Sequence, residues 1–177
     1  MRFTLVVTGL LAYVSSASAA INWTLIKEPN PSDDQKDAYK RIENCMRLAA
    51  DKYNQLSTVA KKTIRVSYSP GVPTAEANYN GDLRFGKNRA YMNQRTAMHE
   101  ISHTLGIGQT NEFNRRCSAG DWPTALPLLR SWDGPNAKIN CGGSHIWPYG
   151  LNYDNEWSDV NANRHVLLVN AMIRDGM

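Results

Sequence analysis

The sequence predicts an α+β domain, on three observations. A long amphipathic helical stripe opens the ordered part of the chain, a strand-like alternation with a tight-turn signal follows it, and two further helical patterns come after. Helices and strands that occur in separate runs, without strict alternation, belong to the α+β class. A length of 177 residues suits one domain with a core of its own.

The elements are taken in chain order. Residues 1–20 read as a secretory leader. Arg2 supplies the positive start, Phe3 to Val14 is an apolar stretch too short to span a bilayer, and Ala17-Ser18-Ala19 fits the small-residue cleavage pattern. Residues 21–177 are then the single folded domain, expected outside the cell. Residues 21–32 carry Pro29 and Pro31 and read as an extended lead-in. Asn22-Trp23-Thr24 within them is a glycosylation sequon, usable in a eukaryotic host.

Ser32 or Asp33 can cap a helix running to about Asn54, because Ala38, Ile42, Cys45, Met46, Ala49 and Tyr53 recur at helical spacing. Thr63 to Tyr68 alternates as a strand does. Asn80-Gly81 marks a tight reversal between Ala77-Asn78-Tyr79 and Leu83-Arg84-Phe85. Asn93 can cap the next helix, which carries Ala97, Met98, Ile101 and Leu105 inward and stops at Gly106. From there to about Tyr153 the chain is rich in Gly, Pro, Trp and Asn and shows little periodicity, with a short helix expected around Ala125 to Trp132. A last helix is expected from about Val160 to Asp175, with Ala162, His165, Val166, Val169, Met172 and Ile173 on one side.

Charge excludes some partners. The net charge is +4, and loss of Arg2 with the leader would lower it by one. No run of Lys and Arg is dense enough for a nucleic-acid patch or a polybasic membrane contact. Three cysteines allow at most one internal bridge. Cys45 falls on the apolar stripe, where a thiol packs as a small hydrophobe. Cys117 and Cys141 flank the loop-rich stretch and are the favoured pair, closing a loop whose entropy is worth about 3 kcal/mol. Trp122, Trp132, Trp147 and Trp157 cluster in the second half and are read as its core.

The chemical signal is His99-Glu100-Ile101-Ser102-His103. On a helix, positions i and i+4 project from one face, so both imidazoles can reach one tetrahedral ion. The carboxylate between them sits beside the ion, placed to take a proton from water activated there. Zinc lowers the pKa of water from about 16 towards about 7, which makes such chemistry available at neutral pH.

Thr96 to Gly106 resembles the active-site helix of the zincin metallopeptidases, above all the metzincin branch, which has Gly three residues past the second His. The stretch His145-Ile146-Trp147-Pro148-Tyr149-Gly150-Leu151-Asn152-Tyr153 is similar to a segment of small secreted microbial proteins that carry the same helix. With Val72 to Ala75 and Asn80-Gly81, the resemblance spans roughly residues 65–175. It implies an N-terminal helix, a small mixed sheet whose edge strand borders the cleft, the active-site helix, a loop-rich lower half and a C-terminal helix. It also implies one zinc ion, a peptide or extracellular protein as substrate, and Glu100 as general base. The expected state is a monomer, with no membrane contact once the leader is removed.

One departure matters. Metzincins place a third ligand, His or Asp, six residues after the second His, and here that position is Gln109, a poor zinc ligand. Of the remaining imidazoles, His145 ranks first, because an irregular segment can fold back over a cleft. Glu156 ranks second, since gluzincins take a glutamate from a later element and Asn155-Glu156-Trp157-Ser158-Asp159 faintly resembles theirs. His165, on a helix stripe, ranks third. Tyr149 and Tyr153 are candidates to hold the oxyanion, with Tyr149 put forward. Met172 could underlie the site as a metzincin methionine does, although its place on a helix stripe suits ordinary core better.

The functional expectation is a secreted zinc metallopeptidase. Two competing classes stay open: a zinc amidase or deacylase acting on cell-wall or glycan amides, and a secreted binding protein or effector without turnover, which Gln109 keeps in play.

Overall fold

A computed structural model describes residues 20–177. The leader read over residues 1–20 lies outside them but for Ala20. The described chain is α+β: a four-stranded mixed sheet, five α-helices and a separate two-stranded hairpin.

Strand β1 (Ile21–Ile26) lies parallel to β2 (Lys62–Tyr68), starting from Ile21 opposite Lys62. Residues 21–26 therefore do more than lead into the helix. The reason is visible in their alternation, since Ile21 is buried, Trp23 and Leu25 are half-buried and their neighbours face solvent. Helix α1 (Asp33–Leu56) makes the crossover that two parallel strands require. Ser32 caps it and forms a reciprocal box with Gln35: the Ser32 hydroxyl accepts from the Gln35 amide, and the Gln35 side chain accepts from that of Ser32. The whole expected stripe, Cys45 included, is buried.

Ile64 and Val66 point into the core from β2, as Leu83 and Phe85 do from β4 (Asp82–Phe85). β4 is parallel to β2 and antiparallel to β3 (Ala75–Ala77), so the order is β1-β2-β4-β3 and β3 forms an edge. The expected reversal is present, but its first strand ends at Ala77. The Asn78 side chain starts the turn instead, accepting from the amides of Asn80 and Asp82, and Gly81 takes a φ of 90°.

Helix α2 (Gln94–Leu105) runs between α1, β3 and α5 (Asp159–Arg174), and its residues from Arg95 onward are all buried. Asn93 caps it, accepting from the Thr96 amide, and Gly106 ends it with a φ of 132° that suits glycine. Along α5, Ala162, His165, Val166, Val169 and Met172 are buried as expected, and Met172 is plain core. Asn170 on the same helix accepts from the Ser57 hydroxyl and the amides of Thr58 and Val59, which ties α5 to the end of α1.

The stretch after α2 is more ordered than its composition suggests. It forms α3 (Asn111–Ala119), α4 (Ala125–Asp133) and a hairpin of β5 (Asn140–Gly142) and β6 (His145–Trp147). Cys117 on α3 is disulfide-bonded to Cys141 on β5, and Cys45 stays free. α4 lacks a side-chain cap of its own, and the Asp175 carboxylate at the end of α5 accepts from the amides of Thr124 and Ala125 in its place. Of the four tryptophans read as core, Trp122 is buried and Trp132 and Trp147 are half-buried. Trp157 lies at the surface, 37% exposed. Among the described residues, no helix is long and apolar enough to cross a membrane.

Candidate metal centre

α2 mounts His99 and His103 one helical turn apart, and backbone carbonyls orient both rings. His99 Nδ1 lies 2.8 Å from the Gly150 oxygen, and His103 Nδ1 lies 2.8 Å from that of Ile107. A carbonyl oxygen only accepts, so each Nδ1 carries its ring's proton and each Nε2 keeps a bare lone pair. The two Nε2 atoms face each other at 3.1 Å. Two lone pairs so close repel unless an electrophile joins them. Bonds of about 2.0–2.1 Å to one tetrahedral zinc set two nitrogens roughly 3.3 Å apart, so the spacing fits one ion.

The third imidazole is His145. Ligand atoms of His99, His103 and His145 all lie within 4.8 Å of one another. The His145 ring lies nearly parallel to His99, at 5.1 Å between centroids, and edge-on to His103 at 5.5 Å. Three histidines so arranged could hold a metal ion, and the donor set alone does not choose among zinc, copper, iron and nickel.

His145 reaches the helix because of the hairpin that carries it. Gly143 and Ser144 take φ values of 52° and 68°, as a two-residue type I′ turn demands. Ser144 then packs on Gly108, where a Cβ would lie 2.2 Å from the Ser144 oxygen. The disulfide fixes the other strand of the hairpin to α3.

Burial sets the charge states. It pushes the His99 imidazole down to about 3, with His103 nearby adding to the effect, and it also lowers that of His103. Both rings are therefore neutral near pH 7, the form that binds metals. Glu100 is 5% exposed, and its Oε2 has no hydrogen-bond partner. Burial raises its carboxyl to about 8; Glu76 pushes the same way and Arg95 opposes both.

His99, Glu100, His103 and His145 all line a cleft of about 540 Å³. The edge strand β3 borders it, and Asn152, Tyr153 and Asp154 also line it. Arg95 forms part of the wall. Its guanidinium donates to Asp154 Oδ1 and to the Leu151 carbonyl, each at 2.8 Å, which fastens the 151–154 loop beside the site. The signal for Arg95 in the sequence is its place one turn before His99 on the same helix face.

The other expected site residues sit elsewhere. Tyr149, expected to hold the oxyanion, does not line the cleft. Its φ of 64° carries the side chain towards α4 and α5, where the hydroxyl donates to Asp133 at 2.7 Å and accepts from Arg164. Tyr153, 63% exposed, does line it. Glu156, the second-ranked ligand, is outside the histidine cluster, and its carboxylate accepts from the Asn152 amide at 2.9 Å. His165, the third-ranked, is fully buried between Tyr53 and the Tyr149 carbonyl. Gln109 lines the cleft, but it is a neutral amide.

The chain matches no protein-family model, and comparison with curated proteins and with solved structures finds no match.

Proposed function

We propose that this protein is a secreted zinc metallopeptidase of the zincin type, in which His99, His103 and His145 hold one zinc ion and Glu100 is the general base. The observation that carries the reading is the convergence of three imidazoles beside a buried, unpartnered carboxylate at the wall of an open cleft. Zinc would supply a Lewis acid that polarises the scissile carbonyl and acidifies water. Glu100 would accept the proton from the attacking water and deliver it to the leaving amine. A zinc ion beside the buried carboxyl would favour its ionised form, the state that a general base needs.

A peptide substrate is favoured over a glycan amide by β3. It is the edge strand of the sheet and lines the cleft, so an extended chain could add to it as a further strand. Tyr153, which lines the cleft as Tyr149 does not, is the phenol that would hold an oxyanion. The leader pattern and the Cys117–Cys141 bridge both suit an oxidising compartment.

The test compares zinc-loaded wild type with Glu100→Ala on an unfolded protein and on acylated glycans. Cleavage of the protein by wild type, lost by a factor of about 100 or more in the variant while zinc is retained, supports the proposal. Turnover of the glycan amides alone overturns the peptidase assignment, and turnover of neither substrate overturns the enzyme.

A further inference from the structure

One fully buried histidine stands outside the three-imidazole cluster. His165 lies on α5 and does not line the cleft. Its Nδ1 is 2.6 Å from the Tyr149 carbonyl oxygen, and its Nε2 is 2.8 Å from the Tyr53 hydroxyl. The carbonyl only accepts, so the proton is on Nδ1 and Nε2 of the neutral ring accepts from the Tyr53 hydroxyl, which also has the Met98 carbonyl within 3.2 Å. The very next carbonyl, that of Gly150, is the one that accepts from His99 Nδ1. Consecutive carbonyls of one turn are therefore gripped by two histidines from two helices, one of them in the metal cluster.

That turn would not hold its shape unaided. Tyr149 and Leu151 adopt φ values of 64° and 57°, a region that disfavours side chains with a Cβ. Gly150 sits so close to Ile146 that a Cβ there would lie 2.1 Å from its carbonyl oxygen. Such conformations persist only where surrounding contacts over-determine them. His165 supplies one such contact from behind.

We propose that His165 is a positioning residue for the metal centre: its Nδ1–H holds the Tyr149 carbonyl and thereby aims the Gly150 carbonyl that orients His99. Tyr53 sets the tautomer. Without its hydroxyl, His165 Nε2 can donate to the Met98 carbonyl 3.3 Å away, which strips Nδ1 of its proton and turns the clamp into two opposed acceptors. This inference rests on the metal-centre reading, and it concerns metal affinity independently of turnover.

The experiment is zinc affinity by chelator competition, with the visible spectrum of the cobalt-substituted protein as a second readout. The variants are His165→Asn, His165→Leu and Tyr53→Phe. Asn and Leu are nearly equal in shape, but only Asn keeps a donor where Nδ1 stood. A packing role favours Leu in an apolar core, whereas a positioning role favours Asn. The expected result is a loss of about tenfold or more in zinc affinity for His165→Leu, with an altered cobalt spectrum, and clear recovery in His165→Asn. Tyr53→Phe, which keeps the ring packing, should weaken binding in the same direction, and it decides the matter if the His165 variants fail to fold. Unchanged zinc affinity in Tyr53→Phe, or equal losses in Asn and Leu, overturns the proposal. A wild-type chain that takes up no zinc overturns the metal centre itself, and this inference with it.

Discussion

Cys117 of α3 is bonded to Cys141 of β5, and Cys141 lies in the hairpin that delivers His145 to the helix. The bridge thus links global stability to the geometry of the third imidazole. Reduction, or the Cys117→Ala/Cys141→Ala pair, should cost about 3 kcal/mol of stability by the loop-entropy estimate. It should also weaken metal binding, because the hairpin gains freedom to swing away. Thermal unfolding with and without reductant, paired with zinc titration, checks both. Lower stability with unchanged zinc affinity would show that the hairpin is held by other contacts.

Gly108 is the other fastening of that hairpin. It takes a φ of 68°, and a Cβ there would lie 2.4 Å from that of Ser144. Gly108→Ala should destabilise the fold by roughly 1–3 kcal/mol from overpacking alone. It should also lower zinc affinity by lifting His145 from its neighbours. Gly120→Ala makes a matched control, since it too has a positive φ, of 64°, but its Cβ would meet nothing within 4 Å. The control should lose stability and keep its zinc affinity.

The pH dependence of the metal-free protein follows from Glu100. Its folded carboxyl is raised from the usual 4.5 to about 8, so the folded chain holds a proton that the unfolded chain has already released. No penalty exists below the lower value; it grows as pH rises between the two and is constant above. Glu100→Gln should therefore stabilise the metal-free protein little near pH 5 and most near pH 9, about where the titration is complete. His99 and His165, lowered to about 3 and about 4, act in the opposite sense and cost stability as pH falls below the usual 6.5. They are common to both proteins and cancel in the difference. Melting temperatures in chelator across that range test the sign, and a gap that narrows with rising pH would refute it. Zinc, by favouring the ionised carboxylate, should shrink the gap.

What the residues disclosed in advance depended on how local the determinants were. α2 was legible because Asn93, the apolar spacing and Gly106 agree on one element, and that element fixes two imidazoles and the carboxylate. β1 is not legible locally, because its order comes from pairing with β2, far along the chain, and only one of its residues is fully buried. α3 has no apolar stripe, because Phe113 is its one buried residue, and only Thr110 and Gly120 bracket it. His145 could be ranked by elimination, but its arrival beside His99 depends on the disulfide, the Gly108 contact and the turn at Gly143-Ser144 together. The nearness of Tyr149 to His145 in sequence says nothing about the backbone reversal between them, and its ring packs against Arg164.

The central claim is that His99, His103 and His145 together bind one ion. Metal analysis of the purified protein beside His145→Ala and Glu156→Ala addresses it most directly. One zinc per chain in wild type and in Glu156→Ala, with none retained by His145→Ala after dialysis, is the predicted result. Full occupancy in His145→Ala, or an empty wild type under the same conditions, would contradict it.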